Sequence, residues 1–422
     1  MSDRAILIVK HRVPCPIEIG SDAVSFALLR VLQHAFSVTL VAVDDGERAV
    51  RGAERLRGLG VEVVLAQRDR SVAALPAAAG SIVRNARLFF TGTPRHVQSQ
   101  SCRQFEPLLE DLTGRRRFAL AQFEYWATAR YRRCVPGPAA LLNHDAWFRT
   151  VEGYARSEPS PINRFFWRLE SRAVRRYELA AQCAFEWSLF LSEEDRQEIV
   201  AGREGLRAAV LPVPFPFEPR DPALLEERRQ TPRVLFIGAM NVEFNVDAVR
   251  HFVERIWPLV RSSVPDALFT IAGRRPTERV RSLTRHPGVE VAGDPDLDAL
   301  LCASRVAVSP ARIGTGIKVK VAQAMATGLP VVGTPAGLSG FDHVDCLARA
   351  SDPETFAQQV VRLLQDGGYR QRVGRACYEV YRDHFWMESA RPKVVALYER
   401  MIDEVERAAA PSMTPSAVSE GV

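Results

Sequence analysis

Apolar residues in this chain gather in short runs separated by polar and glycine-containing stretches. Runs at 5–9, 37–43, 61–65, 118–122 and 139–142 have the length and composition of buried strands, and residues 21–34 have the length and apolar spacing of a helix. Runs at 184–191 and 208–211 read as later strands of the same sheet. Between them Ser192, followed by Glu193, Glu194 and Asp195, supplies the cap and first turn of a helix. Strands alternating with helices predict a mostly parallel sheet.

Prolines at 212, 214, 216, 219 and 222 then punctuate a charged connector. No helix runs through that spacing, because each proline removes a donor and clashes with the preceding turn. Beyond it a second pattern begins: a strand and glycine turn at 233–238, a helix at 246–260, a strand and turn at 267–273, then strands at 289–292, 306–309 and 330–332. The expected organisation is one α/β domain over residues 1–213, a linker over 214–232 and a second α/β domain over 233–380. Ligands in such sheets lie at the carboxyl ends of the strands, where these glycine turns fall.

Composition adds bounds. The 422 residues exceed what one hydrophobic core usually serves, and 47% hydrophobic with 25% charged residues is an ordinary globular mix. Only residues 409–422, small and polar with Pro411 and Pro415, read as a flexible tail. The formal charge of +6 and pI of about 9.1 permit an anionic ligand or membrane surface, though an arginine-rich background gives the same balance. No zinc-finger spacing or nucleic-acid module is present, so nucleic acid is not an expected partner. Seven scattered cysteines without a CxxC pair point to free thiols in a reducing compartment. The run at 5–9 is too short for a signal peptide or spanning helix, so the expected location is cytoplasmic, with peripheral contact at the inner face of a membrane left open. Residues 161–181 bear on that contact. Arg164, Arg168, Arg172, Arg175 and Arg176 alternate there with Phe165, Phe166, Trp167 and Tyr177. The stretch is either a packed helix with a solvated arginine face or a surface for phosphate or anionic lipid.

The segment richest in chemistry is 310–328. Gly314 and Gly316 allow close backbone approach, and a helix from about Ile317 would aim free amides at that loop. Arg312, Lys318 and Lys320 add cationic donors, and Gln323 shares a helix face with Lys320. The pattern is neither GxGxxG nor a P-loop. By itself it reads equally as an anion at a helix start or as a tight turn with surface cations.

Order along the chain separates these readings. Phe236, Ile237 and Gly238 with Asn245; Ile271, Ala272 and Gly273 with Pro276; Gly293 and Asp296; Arg312, Gly314, Gly316 and Lys320; Gln323 through Val332; then Thr334, Gly337 and Gly340 follow one another. This ordered set resembles the nucleotide-sugar domain of the retaining glycosyltransferases called group 1 or family 4. The first half resembles the family more loosely, through Pro14, Pro16 and Gly20, through Asn143, His144 and Asp145, and through the stretch from Ser192. The tail from Phe385 and Trp386 to Tyr398 resembles the family's final helices, which implies that residues 381–408 pack back on the first domain.

The resemblance implies the GT-B fold, an α/β architecture of two Rossmann-like domains with parallel sheets facing across a cleft. It implies transfer of a sugar from a nucleoside-diphosphate sugar to a hydroxyl acceptor (glycan, lipid carrier or small molecule) with retention of configuration, without cofactor or metal. Front-face attack, with the departing phosphate helping to take the acceptor proton, requires no side-chain base. Arg312, Lys318 and Lys320, with amides near Gly314, Thr315 and Gly316, are the expected diphosphate donors, Lys320 fitting the motif best. Gln323 and Gly273 fall at nucleotide and ribose positions. Gly20, His144, Asp145, Gly238 and Asn245 fall along the cleft; Asp145 would hold the His144 ring, and His144, Lys320 and Arg312 would carry catalysis. His11 and Glu124 are further cleft candidates, each equally explained by a surface position or an arginine partner. Asp342, His343 and Asp345 cluster but lack a paired ligand framework.

Two departures stand out. The family's two glutamates flanking the glycine turn correspond here to Thr315 and Gln323, and the arginine and lysine that many members carry after the first glycine are missing from residues 239–245. A sugar-nucleotide epimerase of related fold and a non-catalytic nucleotide-sugar or glycan-binding homologue are therefore the competing expectations.

Overall fold

A computed structural model describes residues 4–67 and 77–409. The tail expected to be flexible lies, apart from its first residue, outside the described residues.

The first sheet contains seven parallel strands: β1 Ala5–Val9, β2 Ser37–Asp44, β3 Glu62–Gln67, β4 Leu120–Glu124, β5 Ala139–Asn143, β6 Trp187–Phe190 and β7 Ala208–Val210, in the order β3-β2-β1-β4-β5-β6-β7. The second contains six: β8 Arg233–Ile237, β9 Leu268–Ala272, β10 Val289–Ala292, β11 Val306–Ser309, β12 Val331–Gly333 and β13 Ala348–Arg349, in the order β10-β9-β8-β11-β12-β13. These strands are apolar runs because helices cover both faces of each sheet. Every residue of β1, β4 and β5 is buried. In each sheet the strand order reverses once, beside β1 and β4 in the first and beside β8 and β11 in the second. A crevice opens at the carboxyl end of such a switch point.

Beyond shifted strand ends, three elements near the second sheet depart from the sequence reading. The helix expected at 246–260 begins earlier, at Glu243, and passes through a wider π turn at Phe252–Ile256 before resuming as Trp257–Ser263. Pro258, which has no amide hydrogen to donate to the preceding turn, accounts for the widening. The helix expected from Ile317 is Val319–Ala326, with Lys318 still extended at its cap. The two-residue strand β13 has no apolar run to announce it.

The chain crosses between the two sheets twice, and the crossings touch. The Phe215 amide donates to the Phe385 carbonyl at 2.8 Å, and the Met387 amide donates to Phe215 at 3.0 Å. The helix Met387–Ala409 then packs along the helix Gly20–Leu32 of the first domain. Arg4 pairs there with Asp403 and Glu406, each at 2.8 Å, and the Tyr398 hydroxyl donates to Gln122.

Candidate functional site

Between the sheets lies a cavity of about 590 Å³, lined from both domains. It receives Gly20, His144 and Asp145 from the first domain. From the second it receives Gly238, Asn245, Gly273, Gly314, Thr315, Gly316, Lys318, Lys320 and Gln323. Arg312, His11 and Glu124 do not line it. The sequence reading of Arg312 as a cleft cation needs correction. Its guanidinium is half exposed and engages Asp247, with Nε 3.0 Å from the carboxylate, so its charge is already matched outside the cavity.

Glycines shape this space at two places. A Cβ on Gly273 would stand 1.7 Å from the Gly238 carbonyl oxygen, so the ends of β8 and β9 meet backbone to backbone. Gly316 has φ +74°, and a Cβ there would lie 2.7 Å from Cβ of Asp145 and 2.8 Å from the His144 carbonyl oxygen. The glycine loop thus reaches across and touches the opposite domain. Thr315 reinforces this contact: its hydroxyl lies 3.2 Å from the Thr150 hydroxyl and donates to the Ala146 carbonyl at 3.2 Å. On the other rim Arg274 bridges to Glu18, whose carboxylate also meets Arg12 and Arg48.

The lysines beside the loop separate by role. Lys318 Nζ turns inward and donates to the carbonyls of Thr315 and Gly316 at 2.8 and 2.9 Å. Burial brings its pKa down to about 8 against the opposing pull of Asp195 and Asp145. This ammonium ties the turn together. Lys320 Nζ donates to Asn245 Oδ1 at 2.9 Å and sits 4.1 Å from the centre of the Phe236 ring. Burial, then the nearby Lys318 charge, lowers its pKa to about 7. Among the described residues no carboxylate pairs with it. Asn245 is held in turn by its amide, which donates to the Ala239 carbonyl at 3.1 Å.

On the first-domain wall, His144 stacks on Tyr125 with ring centres 4.9 Å apart. Its ring is held not by Asp145, as the sequence suggested, but by Glu124, 3.2 Å from Nε2. Burial lowers the His144 pKa, which favours the neutral ring. Donation from Nε2 to Glu124 then leaves Nδ1 as an acceptor, and that atom has no partner. Glu124 also accepts from Lys10 at 2.8 Å and from the Ser25 hydroxyl. Despite the burial of Glu124, Lys10 and the bond to His144 hold its pKa down at about 2. Asp145 is pushed up to about 7 by burial and by Asp195, against Lys318, and its Oδ1 has no partner. Gln323 makes no side-chain hydrogen bond among the described residues while lining the cavity.

Sequence reasoning missed Lys10, Arg274, Tyr125, Trp147 and Thr150. The first two had a legible signal, since each is a charge at the carboxyl end of an apolar strand, where parallel sheets place ligands. His11 packs between Phe105 and Tyr131. Among the described residues no three His, Cys, Asp or Glu side chains come together as a metal site, Asp342, His343 and Asp345 included.

Comparison with known proteins agrees with this geometry. Residues 231–366 match the family of group 1 glycosyl transferases. An uncharacterised 44.6 kDa protein of the cps region of Klebsiella pneumoniae is 25% identical over 144 residues, 32% of this chain and 37% of that protein. The match therefore spans little more than a third of that relative. Among solved structures, Anabaena HepE in complex with UDP and glucose superposes with a TM-score of 0.64 at 11% identity, over 93% of this chain and 99% of that one. The α,α-trehalose 6-phosphate synthase of Burkholderia multivorans gives 0.62 at 13% identity, over 97% and 100%. At such identities the likeness carries the fold. With its second domain matched to the family and both domains superposed, the chain is a GT-B fold protein related to the group 1 glycosyltransferases.

Proposed function

We propose that this chain binds a nucleoside-diphosphate sugar in the cleft and transfers the sugar to a hydroxyl acceptor with retention of configuration. One observation carries the reading: Lys320, a desolvated ammonium beside the glycine loop, has a neutral amide and an aromatic ring for neighbours and, among the described residues, no carboxylate. Such a group is completed by an anion. HepE, of the same fold, is solved with UDP and with UDP-glucose, which supports a diphosphate as that anion.

In this reading Lys320 and the amides of the loop through Gly314, Thr315 and Gly316 meet the diphosphate and stabilise it as it departs. Gly238 and Gly273 let the nucleotide approach the strand ends, and Gln323 offers its free amide to ribose hydroxyls. His144 presents neutral Nδ1 from the opposite wall to a hydroxyl of the sugar or acceptor. Lys318 acts on the loop, and Thr315 is engaged in the domain contact. The carboxylate that Thr315 replaces is therefore not restored by this side chain.

The test is a melting-temperature screen against nucleoside diphosphates, followed by donor hydrolysis and transfer assays with NMR of the product anomer. Stabilisation by a diphosphate together with a retained anomer is expected. Epimerised donor without transfer, or donor binding with neither hydrolysis nor transfer across a broad acceptor set, would replace the proposal by the epimerase or by a binding protein. His144→Ala is expected to reduce turnover while leaving UDP affinity intact.

A further inference from the structure

The described residues include eleven exposed large apolar side chains, and six of them belong to two helices that pack on each other: Ile82, Val83, Phe89 and Phe90 of Ala77–Thr91, and Ile162 and Phe165 of Pro161–Gln182. Phe90 is 82% exposed, Ile162 71% and Ile82 70%. In the first helix the spacing 82, 86, 89, 90 is that of one helical face, and this face is turned outward while Leu88 is buried. A surface helix ordinarily does the reverse. Arg95 fixes the end of this element to the second helix, 4.4 Å over the Trp167 ring and 3.2 Å from Glu170.

Charge says what covers this face. The first helix has no acidic residue. The second has two, and both are buried: Glu170 meets Arg95, and Glu178 accepts the amides of Trp147 and Phe148. Its outer side continues from Ile162 and Phe165 into exposed Arg168, Arg172 and Arg176. None of these three arginines, nor Arg87 of the first helix, makes an ion pair among the described residues. A second copy of the chain would set like charges against each other. An anionic bilayer accepts both halves, with phosphates under the arginines and acyl chains around the aromatics.

We propose that the helices Ala77–Thr91 and Pro161–Gln182 form a docking face for an anionic lipid surface. The inference deepens the proposed function by naming where the transfer operates, and it stands apart from the donor chemistry because none of these residues lines the cleft.

The full chain is sedimented with vesicles of phosphatidylcholine mixed with phosphatidylglycerol and with vesicles of phosphatidylcholine alone, at low and high salt. Binding to the mixed vesicles alone, lost at high salt, is expected. Arg168→Glu/Arg172→Glu/Arg176→Glu should weaken it at least about a hundredfold, and Phe89→Ser/Phe90→Ser by about tenfold. Thermal melting of each variant checks folding, and hydrogen exchange of the wild-type protein on vesicles, which needs no variant, should show protection confined to these two helices. The proposal is overturned by a wild-type chain that stays in solution at low salt, by protection elsewhere, or by folded variants that bind as tightly as wild type. A dimer abolished by Phe89→Ser/Phe90→Ser in a chain that ignores vesicles would assign the face to a second copy instead. UDP affinity is measured separately, so failure of either reading leaves the other to stand or fall on its own result.

Discussion

Lys10 and Lys320 belong to opposite domains, each near a switch point of its sheet, yet Lys10 is buried behind the cleft while Lys320 lines it, and their surroundings differ. Lys10 directly follows β1 and is met at 2.8 Å by Glu124 from the end of β4, a carboxylate further satisfied by Ser25 and His144. That network is electrically complete. Among the described residues Lys320 has only Asn245 and Phe236. The difference teaches how to separate a charge that builds the scaffold from one that awaits a ligand: the first has its counter-charge in the chain, the second does not.

The largest effect should come from breaking the complete side. Lys10→Met leaves Glu124 buried without its cation and is expected to cost about 3–5 kcal/mol in denaturant unfolding. Lys320→Met should behave oppositely, with little change in unfolding free energy but a loss of about 1.5–3 kcal/mol in UDP binding by calorimetry. Equal losses of stability in the two variants would erase the distinction.

The pH dependence sharpens it further. The Lys320 pKa is lowered to about 7, so in the free protein the ammonium is present below that pH and lost above it. Because the charged form binds the anion, UDP affinity is expected to fall roughly thirtyfold between about pH 6 and about pH 8.5, and Lys320→Met should flatten that slope. Thr315→Ala removes one hydrogen-bonding group from the domain contact and should cost about 1 kcal/mol or less of stability. The smallest change is expected for Arg274→Gln, which breaks a partly exposed ion pair with Glu18 worth about 0.2–1 kcal/mol.

Much of the scaffold was legible because parallel strands covered on both faces are continuous apolar runs. The runs at 5–9, 289–292 and 306–309 are the observed strands β1, β10 and β11. Strand ends elsewhere shifted by a residue or a few, as apolar character outlasts the ladder at β6. The glycine loop was legible too, since Gly316 serves a backbone conformation that few other residues adopt. Side-chain direction was not. Lys318 and Lys320 lie two residues apart at a helix start and turn to different partners, and Arg312 is claimed by Asp247 from 65 residues earlier. The Lys10–Glu124 pair becomes readable only once β4 is known to lie beside β1. No local pattern states that adjacency.

The most direct measurement is a structure of the chain with UDP bound. The account predicts a phosphate oxygen within about 3 Å of Lys320 Nζ, with loop amides near Gly316 donating to the same group. A diphosphate seated on Arg312, or elsewhere with Lys320 still bonded only to Asn245, would contradict it.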